Sequence, residues 1–547
     1  MKPYPSSLLG RLSRRLFLVG MVALGGCAEP LVRSQSPEDI AVIESKVRLV
    51  GDMVVPYGTN DIRVEAAVLI TKLDGTGGDP PPSALRSAVL DEMQRRRVQR
   101  PSRLLRSSNT AVAIARGFIP PGARKGDRFD IELTLDRGSK TTSLRGGWMM
   151  KTQLRERAFL GGRTREGALR AIARGPIFTD PTDRRNPNLE TLKRGRVLGG
   201  GYVTKSRPMG LVLKPSVQHA LLSKLIGDTI NRRFYSTRGG LQVGMAKAKT
   251  DTFIELSVHP RYKMNVPRFI AVLQNMPIRE SVRERLNRLR LLERQLLDPL
   301  TSYTAALRLE AIGLEAVEVL KKGVKDSNRE IRFNAAEALA YLDRSEAVPP
   351  LAATARDEPT LRARALVALG AMDALAAHDA LAKLLDGTSV ETRYAAFRAL
   401  HFMNPNDLLV AGSNMRGQFR YHVLETTGPP LIHVTRTNRP ELVVFGSGQR
   451  FNTPLLLHAG GSILLSAMKP GDQVTISKIS AGDRDQTRVV PGRFDDVIRA
   501  VVSLGGSYAD VVELLHEAKQ RGVLTAHLAV DAVPHGSQQA DRIARSR

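Results

Sequence analysis

Arg332-Phe-Asn-Ala-Ala-Glu-Ala-Leu339, Arg362-Ala-Arg-Ala-Leu-Val-Ala-Leu369 and Arg393-Tyr-Ala-Ala-Phe-Arg-Ala-Leu400 are three versions of one pattern. Each sets an arginine seven residues before a leucine, with mostly small residues between, and the units begin 30 and 31 residues apart. Alanine and leucine favour helix, and small side chains let neighbouring helices approach closely. A second apolar helix follows the first two units, and Ala305 to Val324 supplies an earlier, degenerate one. Paired helices of this length cannot bury their apolar faces alone. Stacked at a fixed period they share a core, so 281–405 is read as an all-α solenoid, a shape that offers surface for binding.

The pattern resembles the short HEAT-like repeats. A basic linker helix leads into it, with Val282, Leu286, Leu289, Leu292 and Leu296 at helical spacing. On both sides the pattern is mixed. Upstream, in 46–280, Val64–Ile70, Thr110–Ala115, Phe129–Leu135 and Phe253–Val258 read as strands. Ser83 caps a helix to Arg97 through Leu85, Val89, Leu90 and Met93, and Ser216–Phe234 forms another with Leu221, Leu222, Leu225, Ile226 and Ile230 on one side. Downstream, in 406–532, strands return at 430–435, 441–445, 462–466 and 473–477. Two helices, Arg493–Leu504 and Tyr508–Arg521, and a strand at 525–530 close the chain. The expected fold class is α+β: mixed α/β regions interrupted by a HEAT-like solenoid. The tail 533–547 is polar.

The first residues read as a targeting segment, 1–26. Arg14 and Arg15 precede an apolar run from Leu16 to Leu24, too short to span a bilayer. Ser13-Arg-Arg-Leu-Phe-Leu18 resembles a twin-arginine export signal, and Leu24-Gly-Gly-Cys27 resembles a lipobox. Cys27 is therefore the expected lipidation site, followed by a tether, 27–45. It is also the only cysteine, which leaves no disulfide within one chain.

Net charge is +28, from 82 Lys and Arg against 54 Asp and Glu. In an exported protein the matching anions are lipid head groups, cell-wall carboxylates and acidic proteins, not nucleic acid. The densest basic run is Arg95, Arg96, Arg97, Arg100, Arg103 and Arg106. It is either a solvated helix end and loop or an anion-facing surface.

Catalytic constellations are not found. The ten histidines are scattered, with no i, i+4 pair for a metal. Asp74-Gly-Thr-Gly-Gly-Asp79 lacks the Gly-Lys-Ser/Thr of a phosphate loop, and Gly199–Gly201 lacks a strand-to-helix setting; both read as turns or flexible loops. No cofactor, metal site or enzymatic role is expected.

Several stretches, in order, resemble the flagellar P-ring protein family of the bacterial basal body. They are Leu73–Asp79, Leu105–Ala113, Ile119–Asp130, Ser143–Gly147, Ile226–Phe234, Asp496–Gly506 and Asp510–Leu524. The resemblance covers about 46–278 and 425–532, and places the solenoid as an insert. It implies a periplasmic structural subunit that closes into a ring with copies of itself. That ring is a bushing around the flagellar rod, near the L-ring proteins and the peptidoglycan. The basic run Arg95–Arg106 would then face an acidic rod. Lipidation at Cys27 and the solenoid depart from the family pattern, and they leave open a second reading: an envelope lipoprotein that reuses this fold while its solenoid binds a protein partner, with no flagellar role.

Overall fold

The computed structural model describes residues 47–534 except 137, 161–162, 182–187 and 480–484. Cys27, Arg14, Arg15 and the tail beyond Pro534 lie outside the described residues.

Six antiparallel strands close into a barrel in the order Ile62–Thr71, Ala111–Ile119, Arg128–Leu135, Arg194–Val203, Arg163–Pro176 and Trp148–Leu160, the last pairing with the first. Alternation decides what points inward. Ala111, Ala113 and Ala115 meet Val64, Val68, Ile131, Leu133 and Phe129 in one core. The Phe129 ring leaves no room for side chains on two neighbouring strands: a Cβ at Gly117 or Gly201 would lie 2.5 or 2.7 Å from it. Outside, charges oppose each other across the strands. Arg155 faces Glu65, Glu65 faces Arg116, Arg116 faces Glu132 and Glu132 faces Arg196. Opposite charges at directly paired positions stabilise a register. The helix Ala84–Arg95, capped by Ser83 as expected, lies over the outside on Ala67, Leu69 and Val112.

The sequence reading assigned no element to 148–176, where the barrel has its two longest strands. Register shifts between Met149 and Arg157 break the alternation that would have marked them.

Beside the barrel, Val54–Tyr57, Met209–Leu213, Phe253–Leu256 and Ala246–Ala248 form a second sheet. Met209, Leu211, Leu213, Ile254 and Leu256 join Ile226 and Ile230 of helix Ala220–Arg233 and Phe269 of helix Val266–Gln274 in a common core. Leu221, grouped by spacing with Leu222, Leu225, Ile226 and Ile230, does not share the burial of Ile226 and Ile230. It sits in the first turn, just after the cap His219, and is 72% exposed.

The solenoid follows linker helix Val282–Leu296. Its pairs are Ser302–Ile312 with Val317–Val324, Arg329–Tyr341 with Val348–Asp357, and Arg362–Gly370 with Leu375–Leu384, and a single helix, Val390–Met403, ends it. The repeated arginine has a physical role. Arg332 donates to the carbonyls of Asp326 (2.9 Å) and Ser327 (2.5 Å), Arg362 to those of Ala355 (3.0 Å) and Arg356 (3.3 Å), and Arg393 to that of Leu385 (2.7 Å). Each reaches the end of the preceding helix or the turn after it, where backbone carbonyls lack helical partners.

After the solenoid comes a five-stranded mixed sheet, in the order Gly412–Met415, Phe419–Leu424, Glu441–Phe445, Leu431–Val434, His527–Val530. A four-stranded antiparallel sheet, Leu455–Ala459 to Gln486–Pro491, and the helices Phe494–Ser503 and Tyr508–Gln520 complete the chain. This last part returns to the barrel. Arg145 pairs with Glu513, Arg436 with Asp180 at 3.3 Å, and Asn438 donates its N–H to Asp130 at 2.5 Å. Chain order thus runs from barrel to solenoid to closing region, and then by contact back to the barrel.

Candidate interaction surfaces

All six arginines of the basic run are exposed. They sit at the end of helix Ala84–Arg95, in the turn beyond it, and around the short helix Pro101–Leu105. Arg97 and Arg100 take left-handed backbone conformations (φ 56° and 50°), which turn the chain sharply between the two helices. Arg95 and Arg96 share Glu92, at 3.0 and 2.7 Å, and Arg96 also donates to the Lys151 carbonyl at 2.9 Å. One carboxylate between two guanidiniums leaves the run strongly positive. The structure brings these residues together on one flank of the barrel, as an outward surface and not a pocket.

The solenoid is anchored at both ends by buried charge, which sequence spacing gave no means of finding. At the first end Arg268, on helix Val266–Gln274, donates to Glu310 (2.6 and 3.0 Å) and Glu337 (2.6 Å). Tyr262 donates to Glu310 at 2.6 Å and stacks on Tyr341 with ring centroids 4.6 Å apart. Arg364 of the next repeat also reaches Glu337. Burial works against the Arg268 charge. The two carboxylates outweigh it and hold the guanidinium above its ordinary value. At the far end Glu441 accepts from Tyr394 (2.9 Å) and Arg398 (3.0 Å), while Arg393 donates to the Pro429 carbonyl at 2.5 Å. His433 stacks on Tyr394 at 3.6 Å, and burial lowers its pKa to about 3, so it is neutral there.

Between these anchors the solenoid has a groove of about 490 Å³. Val348, Ala352 and Ala380 line it together with the charged Arg356, Asp379 and Lys383. Among the described residues no group of His, Cys, Asp or Glu is arranged to hold a metal ion. The glycine-rich segment 74–79 runs as turn and coil and donates backbone N–H groups to Leu73, Ser108 and Thr110, as a structural turn would. No described helix is long and apolar enough to cross a membrane.

Residues 50–287 match the family model of the flagellar P-ring protein. Residues 290–370 match that of HEAT repeats. The P-ring match takes in the barrel, its neighbouring sheet and the start of the linker helix, and the repeat match begins within that helix and runs through Arg362–Gly370. The HEAT-like resemblance and the P-ring resemblance over about 46–278 are thus found independently. Curated relatives named flagellar P-ring protein agree. That of Thermotoga maritima is 26% identical over 241 residues, covering 42% of this chain and 66% of that protein. For Oleidesulfovibrio alaskensis the figures are 25% over 233 residues, 40% and 58%. For Helicobacter pylori they are 24% over 247 residues, 43% and 64%. The chain thus spans about 58–66% of the length of these relatives. The P-ring family is a structural one, not a family of enzymes.

Proposed function

We propose that this chain is a structural subunit of a flagellar P ring. Copies close head to tail into a periplasmic ring that acts as a bushing around the rod at the level of the peptidoglycan, beside the L ring. A heterologous contact whose rotation closes yields such a ring. The observation that carries the reading is the P-ring match over 50–287, which coincides with the barrel and its flanking sheet. The motifs at 496–506 and 510–524 extend the reading to the closing helix pair. Arg95, Arg96, Arg97, Arg100, Arg103 and Arg106 form the surface offered to an acidic rod, a long-range match that needs no fixed register. Cys27 carries the lipid that holds each subunit to a membrane.

Deleting the gene and imaging basal bodies tests the reading. Expected are basal bodies without a P ring and cells that do not swim. Intact rings in the deletion strain would refute it. Reversing the charges of the basic run tests the rod-facing assignment, which fails if assembly and motility remain normal.

The groove and the HEAT-repeat match favour one alternative: an envelope lipoprotein whose solenoid recruits a protein partner without flagellar duty. Removing the solenoid is a blunt test, because Arg268 and Glu441 would lose their buried partners. Arg356→Glu with Lys383→Glu in the groove leaves both anchors in place. Normal motility with loss of a co-purifying partner would assign the groove to an accessory role.

A further inference from the structure

The linker helix Val282–Leu296 carries two kinds of arginine. Arg288 pairs with Glu280 at 2.7 Å, and Arg285 with Glu280 (3.4 Å) and Glu315 (2.7 Å). Arg283, Arg290 and Arg294 are exposed and make no ion pair among the described residues. At i, i+7 and i+11 they form a straight line along the helix. Val282 (71% exposed) and Leu286 (52%) flank that line. Of the apolar residues at helical spacing along this helix, only Leu292 and Leu296, in its second half, are fully buried. Nearby carboxylates are committed elsewhere: Glu284 closes the capping box with Ser281, and Glu293 is held by Lys322 at 2.6 Å.

The described chain also enters the fold at this corner. Leu49 bridges to Pro277, and Ile278 donates to the Arg48 carbonyl at 3.1 Å, which places the first described residues beside exposed Arg279. Nineteen residues separate Cys27 from Val47, a reach of at most ~65 Å.

We infer that the exposed face of the linker helix lies on an anionic lipid surface, with Arg279, Arg283, Arg290 and Arg294 at the phosphates and Val282 and Leu286 dipping into the interface. An acidic protein would satisfy the arginines alone. The aliphatic pair among them fits a lipid boundary, where both kinds of side chain gain. Each basic residue near such a surface adds to the attraction, so the face would act as a second membrane signal beside the acyl chains and orient the subunit. The inference goes beyond the ring-subunit reading and rests on lipidation of Cys27 for the tether alone.

The test is full-length Leu286→Cys, labelled with a polarity-sensitive dye and added to phosphatidylcholine vesicles with or without phosphatidylglycerol. Expected is a blue shift, quenched by brominated lipid, in the anionic vesicles only. High salt should abolish it, as should Arg283→Glu, Arg290→Glu and Arg294→Glu together, with an unchanged thermal melt showing that this variant folds. Identical spectra in neutral and anionic vesicles overturn the inference. So does a face that is unquenched on vesicles yet protected in intact envelopes, which would assign it to an acidic protein. Labelling stoichiometry reads the anchor separately. One dye per chain means Cys27 is blocked by lipid. Two means it is free, and bromolipid quenching above that of the wild type labelled at Cys27 alone then decides the docking.

Discussion

Residues 47–280 carry 42 Lys and Arg against 20 Asp and Glu, whereas the helical repeats, 297–405, carry 13 against 15. The two regions also place charge differently. Around the barrel itself it lies on the outer side of the strands, as a cross-strand belt and an unbalanced arginine run. In the repeats the decisive charges are inside, where Arg268–Glu310–Glu337 and Glu441–Arg398 join the solenoid to its neighbours. Surface charge screened by water sets what a protein attracts and adds little to its stability. Buried charge makes the fold intolerant of losing one partner. The barrel part is thus suited to meeting anions, and the repeats to holding a fixed geometry between two mixed regions.

The largest expected effect lies at the first anchor. Arg268→Met leaves Glu310 and Glu337 buried with much of their compensation gone, and should cost about 3–5 kcal/mol in thermal or denaturant unfolding. The orphaned carboxylates would have raised pKa values, so the deficit should shrink as pH falls and they protonate. Replacing all three, with Arg268→Met, Glu310→Leu and Glu337→Leu, should recover most of the loss, because an apolar cluster of similar volume carries no uncompensated charge. A deficit under 1 kcal/mol in the single variant would erase the contrast between the two regions. Next is Arg362→Met, which removes the donor to the Ala355 and Arg356 carbonyls while keeping much of the aliphatic stem. Hydrogen bonds to a charged group suggest a loss of about 1.5–3 kcal/mol. If Arg332→Met, at the equivalent site, costs as much, the arginine is a repeat-wide device.

How much of this was legible in the sequence differs between the regions for a physical reason. The repeats announce themselves because each unit contacts its neighbours at a constant offset, so period becomes structure. The arginine at the head of each unit was visible as a pattern, but its carbonyl partners were not. The barrel depends on pairings between distant segments, and alternation identifies a strand without naming its neighbour. Val64–Ile70 and Phe129–Leu135 were readable. Closure was not, because it runs through the bulged strands Trp148–Leu160 and Arg163–Pro176. The basic run was found because it is contiguous. Arg268, Glu310 and Glu337 were missed because single charges in apolar helices carry no local mark. On the linker helix, periodicity located Val282 and Leu286 correctly within the helix but could not say that no neighbour covers them.

The barrel belt provides a smaller, pH-dependent test of the same contrast. Burial raises the pKa of Glu65, but hydrogen bonds and charge from Arg116 and Arg63 outweigh it, so the carboxyl titrates below its ordinary value. A carboxylate depressed in the folded state adds stability that is fully present above its unfolded pKa and is lost as pH falls through its folded one. Glu65→Gln should therefore lower stability by about 1 kcal/mol at pH 7, and the difference from wild type should fade below about pH 4. The smallest effect belongs to the basic run. Arg103→Glu with Arg106→Glu should change stability by less than about 0.5 kcal/mol, since both side chains are exposed. A thermal melt measures the first quantity, and association with an acidic partner surface at low and high salt measures the second. A large stability loss would make these arginines part of the fold. Unchanged melting with salt-sensitive loss of association would mark them as surface whose work lies between molecules.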